Sequence, residues 1–207
     1  MKHALSALVV VLCAFVALAA RAQPFEEGKQ YRTLEAAQPA TSDGKVEVVE
    51  FFYYGCPVCY EAQPHVTRWL SKQGERVRFR RVPAASNEAW AAFARTYYAL
   101  EAVGELDRLH WPLYDNHHFD GRQLNEEPKL LAWLSANGVD AERFRAARNS
   151  NAVGAKVAEA KALLERYGVK RVPSFVVGGK YVTSAVEAGG VPEMMQVVDF
   201  LVGRAAK

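Results

Sequence analysis

Val46 to Tyr54 (VEVVEFFYY) is a β-branched and aromatic run, nearly continuous in apolar character, and it ends at Gly55. Such a run predicts a central strand buried on both faces. Pro57 to Gln73 follows, with Val58, Val66, Trp69 and Leu70 at mixed helical spacing and Gly74 as a stop. Val77 to Val82 is the next strand, carrying Arg78, Arg80 and Arg81. Strand, helix and strand within about 36 residues form a βαβ unit with parallel pairing. The pattern then changes. Asn87 caps a helix running to Val103, and Leu106 to His117, Pro128 to Ala136 and Ala141 to Arg148 continue the helical spacing with no strand between them. The α/β pattern returns with a helix over Ala152 to Tyr167 and a strand over Ser174 to Val177. Gly178-Gly179 reads as a two-residue hairpin turn, Lys180 to Thr183 as its partner strand, and Pro192 to Val202 as a closing helix. Tyr31 to Leu34 is a candidate first strand, and Gln38-Pro39 and Ser42-Asp43-Gly44 are turn chemistry. The expectation is an α/β fold in two parts, 23–85 and 151–207, interrupted by an all-helical subdomain at 86–150.

Residues 1–22 stand apart. Lys2 gives a basic start, Ala4 to Ala20 are almost entirely apolar, and Ala20-Arg21-Ala22 is a small-x-small triplet. That order is a secretory signal peptide, with Ala17-Leu18-Ala19 as a second possible cut. The rival reading is an uncleaved membrane anchor, for which the run is a little short. Cleavage removes Lys2 and Arg21 and no acidic residue, so the net charge falls from +3 to +1. A chain this close to neutral gives no electrostatic case for nucleic acid as a partner. Cleavage also removes Cys13 and leaves Cys56 and Cys59 as the only cysteines, in an oxidising compartment.

A disulfide between Cys56 and Cys59 closes only a turn and adds little stability, so its reactivity is the better explanation. Cys56-Pro57-Val58-Cys59 follows a buried strand and opens a helix. Residues i and i+3 at a helix start lie close enough for S–S bonding. Cys56 takes the N-cap, where unpaired N–H groups and the helix dipole favour thiolate over thiol. Cys56 is therefore the sulfur a substrate thiolate attacks, and Cys59, one turn in, is the buried resolving thiol. Zinc lacks a second ligand pair, since His117 and His118 are adjacent in sequence. Haem attachment needs His where Tyr60 stands. No metal and no cofactor beyond the cysteine pair is expected. His65, His110, His117 and His118 are read as structural or surface groups. The aromatic residues Trp69, Trp90, Trp111, Trp133, Tyr97 and Tyr98 are read as core, with a few lining an apolar groove near the cysteines.

At VVEFFYYGCPVCYE (Val48–Glu61), GVKRVPSFVVGGKYV (Gly168–Val182) and GKQY (Gly28–Tyr31), the chain resembles the DsbA family of thioredoxin-like disulfide oxidoreductases. The helical block lies where that family inserts its helical domain. The resemblance implies that Val172-Pro173 is a cis-proline pair facing the cysteines, with the Val172 backbone binding the substrate segment. The alternative is an ordinary trans proline starting a strand. It implies that Glu50 relays protons to Cys59, with Arg80 or Arg81 as counter-charge; the alternative is a strand-end carboxylate reaching water. It implies a monomeric periplasmic enzyme that gives its disulfide to reduced exported polypeptides through a mixed disulfide. Reoxidation would come from a DsbB-like quinone-linked membrane oxidase. A reductase or isomerase, or a peptide-binding chaperone, are the other readings. One position departs: the best-known members carry His where this chain has Val58. The expectation is a higher Cys56 pKa and a less oxidising disulfide than in the histidine-bearing members.

Overall fold

The computed structural model describes residues 25–37 and 44–206. The expected leader at 1–22 and the turn residues Gln38, Pro39, Ser42 and Asp43 lie outside them. Among the described residues a five-stranded mixed sheet carries eight α-helices. The strands are β1 (Arg32–Thr33), β2 (Val46–Phe52), β3 (Val77–Pro83), β4 (Ser174–Val177) and β5 (Tyr181–Ser184), in the order β1-β5-β4-β2-β3. Helix α1 (Pro57–Leu70) crosses from β2 to β3, which pair in parallel from Val46↔Val77 to Phe52↔Pro83. Helices α2 (Glu88–Ala102), α3 (Leu106–His118), α4 (Glu127–Ala136) and α5 (Ala141–Arg148) follow, then α6 (Asn151–Arg166), α7 (Ala185–Ala188) and α8 (Val191–Ala205).

Period-2 alternation along β2 explains why the strand has no solvent face. Val46 and Val48 pack with Trp69 of α1 and Met194, Val198 and Leu201 of α8. Val49 and Phe51 point the other way, onto Ala160, Leu163 and Leu164 of α6. Phe52 and Tyr54 continue into a third cluster with Phe93, Leu100, Leu113, Tyr114, Leu134 and Phe144, so the helical block is built onto the end of the central strand. Side-chain caps set the helix starts. The Asn87 side chain accepts from Trp90 N at 3.0 Å, and Ser150 Oγ accepts from Val153 N at 3.2 Å.

The structure corrects several expected boundaries. The helix after Pro57 stops at Leu70, and Gly74–Arg76 form a separate 3₁₀ turn beginning at Gly74 with φ +54°. The strand before the cysteines ends at Phe52, because Tyr53 carbonyl and Cys56 N–H already close a turn at 3.0 Å. The hairpin pairs Val177 with Tyr181, so its loop holds Lys180 as well as Gly178 and Gly179. Both glycines have φ near +60°, and Lys180 N donates to Val177 O at 3.1 Å. Helix α7 is an addition that four residues (AVEA) are too few to announce by periodicity.

Candidate active site

Cys56 is the N-cap of α1, with extended backbone (φ −94°, ψ 115°) and Pro57 in the first helical turn. Its Sγ accepts the backbone N–H of Cys59 at 3.2 Å. Gly55 before it is required by a close approach: a Cβ there would lie 2.6 Å from the Tyr53 ring, which stacks on Trp90 at 4.4 Å. The first turn of α1 holds no acidic residue to repel an anion. The Cys59 thiol donating to the Cys56 sulfur, helped by the N–H groups of Cys59 and Val58 and opposed by burial, lowers the Cys56 pKa to about 7. Cys59 is fully buried, and burial first, then the neighbouring Cys56 sulfur, push its thiol well above the ordinary range. The pair is therefore asymmetric: one sulfur is partly exposed and easily ionised, the other enclosed and protonated.

The Val172–Pro173 peptide is cis, and Val172 O lies 3.7 Å from Cys56 Sγ. The segment leading into β4 thus runs past the sulfur with its backbone polar groups beside the exchange site. Val58, between the cysteines, is 41% exposed and adds an apolar surface there.

Glu50 is fully buried on β2, which removes the reading of a strand-end carboxylate reaching water. Sheet register chooses its counter-charge. Glu50 pairs with Arg81 across the parallel ladder, so the two side chains share a face, and Arg81 Nε donates to Glu50 Oε2 at 3.0 Å. Arg80, one residue earlier, faces the opposite side and bonds Glu47 at 3.0 Å. Burial raises the Glu50 pKa, and Arg81 and Gln63 oppose the rise. Gln63 escaped the sequence reading. Its Nε2 donates to Glu50 Oε1 at 3.0 Å and to Cys59 O at 3.4 Å, which ties the carboxyl to the helix turn carrying the resolving cysteine. The available signal was a polar residue four positions after Cys59, on the same helix face.

The histidines divide. His110 is buried: its Nδ1 shares a 2.7 Å hydrogen bond with the Tyr54 hydroxyl, and burial pushes its pKa down to about 3. His118 Nε2 donates to Tyr54 O at 2.7 Å and its ring stacks on Tyr60, which stacks in turn on Trp111. Trp111 is 43% exposed, so the expectation of aromatic surface near the cysteines applies to it, whereas Trp133 is core.

Because Val58 leaves the Cys56 sulfur without an imidazole neighbour, Val58→His is expected to lower the Cys56 pKa by about one unit. The equilibrium with glutathione should move about tenfold toward the dithiol, about 30 mV. Alkylation titration and glutathione equilibration of both proteins check this; unchanged values would show that position 58 does not tune the sulfur.

Residues 47–199 match the DSBA-like thioredoxin domain. The chain is 36% identical over 205 residues to the thiol:disulfide interchange protein DsbA of Burkholderia cepacia, covering 98% of this chain and 96% of that one. It is 37% identical over 175 residues to the DsbA of Azotobacter vinelandii, covering 84% and 82%. Among solved structures, Pseudomonas aeruginosa DsbA superposes with a TM-score of 0.81 at 33% identity, over 88% of this chain and 95% of that one. The oxidoreductase DsbA of Xylella fastidiosa gives 0.80 at 29% identity, over 88% and 98%.

Proposed function

The chain belongs to the DSBA-like thioredoxin family and is a thiol:disulfide oxidoreductase; from that premise we propose that it oxidises reduced polypeptides exported to the periplasm, using the Cys56–Cys59 disulfide. A substrate thiolate attacks Cys56 Sγ, the S–S bond breaks, and Cys59 leaves with the electron pair. Cys59 takes up a proton, with Glu50, held by Gln63 and Arg81, as the positioned acid. A second substrate thiolate then attacks the substrate sulfur of the mixed disulfide and expels the Cys56 thiolate. The substrate loses two electrons and gains a disulfide, and the enzyme keeps the two electrons as its dithiol. Val172 offers its backbone to the substrate segment in strand fashion, and Pro173 fixes its approach. The observation that carries this direction is the Cys56 sulfur accepting Cys59 N–H at 3.2 Å with a pKa near 7. A stabilised leaving thiolate favours release of substrate and the reduced state of the enzyme. A DsbB-like quinone-linked membrane oxidase would return it to the disulfide. The missing imidazole at Val58 makes a milder oxidant, so a reductase or isomerase is the second reading.

The test is capture. Cys59→Ser has no disulfide of its own to be attacked, so its Cys56 is first charged as a mixed disulfide with nitrothiobenzoate. A reduced exported polypeptide should then displace nitrothiobenzoate from Cys56 and stay bound as a mixed disulfide until dithiothreitol releases it. A variant that traps no polypeptide would overturn the assignment of Cys56 as the attacked sulfur. Equilibration of the unmodified protein with glutathione then separates oxidase from reductase.

A further inference from the structure

At the far end of α1 from the cysteines, a cavity of about 710 Å³ opens between α1 and α8. Its walls bring together His65 and Arg68 from α1 with Lys72 and Arg76 from the turns that follow it. Among the described residues, no carboxylate forms an ion pair with Arg68, Lys72 or Arg76. The one acidic residue in the cavity, Asp199, is engaged: its Oδ1 accepts Trp69 Nε1 at 3.2 Å and Gln73 Nε2 at 3.0 Å. That geometry turns the other end of the Gln73 amide into an acceptor. Gln73 is only 5% exposed, and its Oε1 is buried with no hydrogen-bond partner. A buried amide oxygen left unmatched is costly, so it calls for a donor. Three unmatched cations beside one unmatched acceptor suit a ligand carrying an oxyanion and a hydroxyl group together.

We propose that this cavity binds a polyol phosphate of the glycerol phosphate kind, with Arg68, Lys72 and Arg76 holding the phosphate and Gln73 Oε1 accepting a hydroxyl hydrogen. Arg68 is twelve residues beyond Cys56, roughly 18 Å along the helix. The occupied cavity therefore leaves the exchange site open. The same chemistry is offered by a soluble glycerol phosphate and by the headgroup of phosphatidylglycerol.

The full chain is titrated with sn-glycerol 3-phosphate and with inorganic phosphate, following backbone and glutamine side-chain amides by NMR. It is also sedimented with vesicles of phosphatidylglycerol and, separately, of phosphatidylcholine. Expected are saturable shifts on α1 and α8 that include the Gln73 amide, tighter binding of glycerol phosphate than of inorganic phosphate, and weakening by salt. Arg68→Gln/Lys72→Gln/Arg76→Gln should lose about tenfold or more in affinity, while its exchange rate with glutathione stays unchanged. Binding to phosphatidylglycerol vesicles assigns the lipid headgroup, and binding to the free phosphate alone assigns a soluble ligand. No saturable shift with either probe and no vesicle binding would overturn the proposal, as would binding that the triple variant retains. Equal affinity for inorganic phosphate would overturn the part given to Gln73.

Discussion

Cys56→Ser is expected to lose disulfide exchange by on the order of a thousandfold or more, because the attacked sulfur and the leaving thiolate disappear together. The fold should survive the change. Serine is a good N-cap, and its hydroxyl oxygen can accept the Cys59 N–H that the sulfur accepts in the structure. Stability by denaturant midpoint should stay within a few tenths of a kcal/mol, so lost exchange cannot be ascribed to unfolding. The same variant separates the enzyme from a peptide-binding chaperone. A chaperone that works through the apolar surface at Val58 and Trp111 keeps its suppression of aggregation without Cys56. Assays of insulin reduction and of scrambled-substrate oxidation, run beside an aggregation assay, read both outcomes.

Arg81→Met is the second large effect. The Glu50 carboxylate is fully buried, and the Arg81 guanidinium that compensates it is 23% exposed. Removing one partner of a buried ion pair costs roughly 3–5 kcal/mol, and the partial exposure of Arg81 places the expectation near about 3. The pH dependence identifies the cause. Glu50 is already raised by burial, and losing Arg81 raises it further. A carboxyl whose folded pKa exceeds its unfolded value stabilises the fold below the unfolded value, and that stability is lost as pH rises through the folded one. The penalty should therefore be small below about pH 4.5 and grow toward neutrality. Arg81→Met/Glu50→Gln should recover most of it, because a neutral amide needs no counter-charge. A penalty that is flat with pH, or that persists in the double variant, would mean that Arg81 acts through packing alone.

Much of this architecture was legible from residue order. The block from 86 to 150 shows helical spacing with no β-branched run, and that contrast alone marks an insertion. The Asn87 cap places its helix start within a residue or two, since a side-chain oxygen bonding three residues ahead is a local event. The Cys56-Pro57-Val58-Cys59 site is equally local. What resisted was non-local. Whether Arg80 or Arg81 answers Glu50 depends on the register of β3 against β2, and a one-residue slip would exchange them. Gln63 belongs to the site through a helix face whose buried side can be assigned only once β2 lies against α1. His110 looks like any surface histidine until α3 packs it against Tyr54 and Phe52. The antiparallel pairing of β4 with β2, which carries Val172 past Cys56, joins segments more than a hundred residues apart.

The account rests on an unequal pair of sulfurs, and the most direct measurement is the rate of alkylation of each cysteine in the dithiol protein as a function of pH, resolved by peptide mass spectrometry. The predicted result is a sigmoid for Cys56 with its midpoint near 7 and a Cys59 that stays unmodified until far more alkaline conditions. A Cys56 midpoint at the value of a free thiol, or two cysteines that react alike, would contradict it.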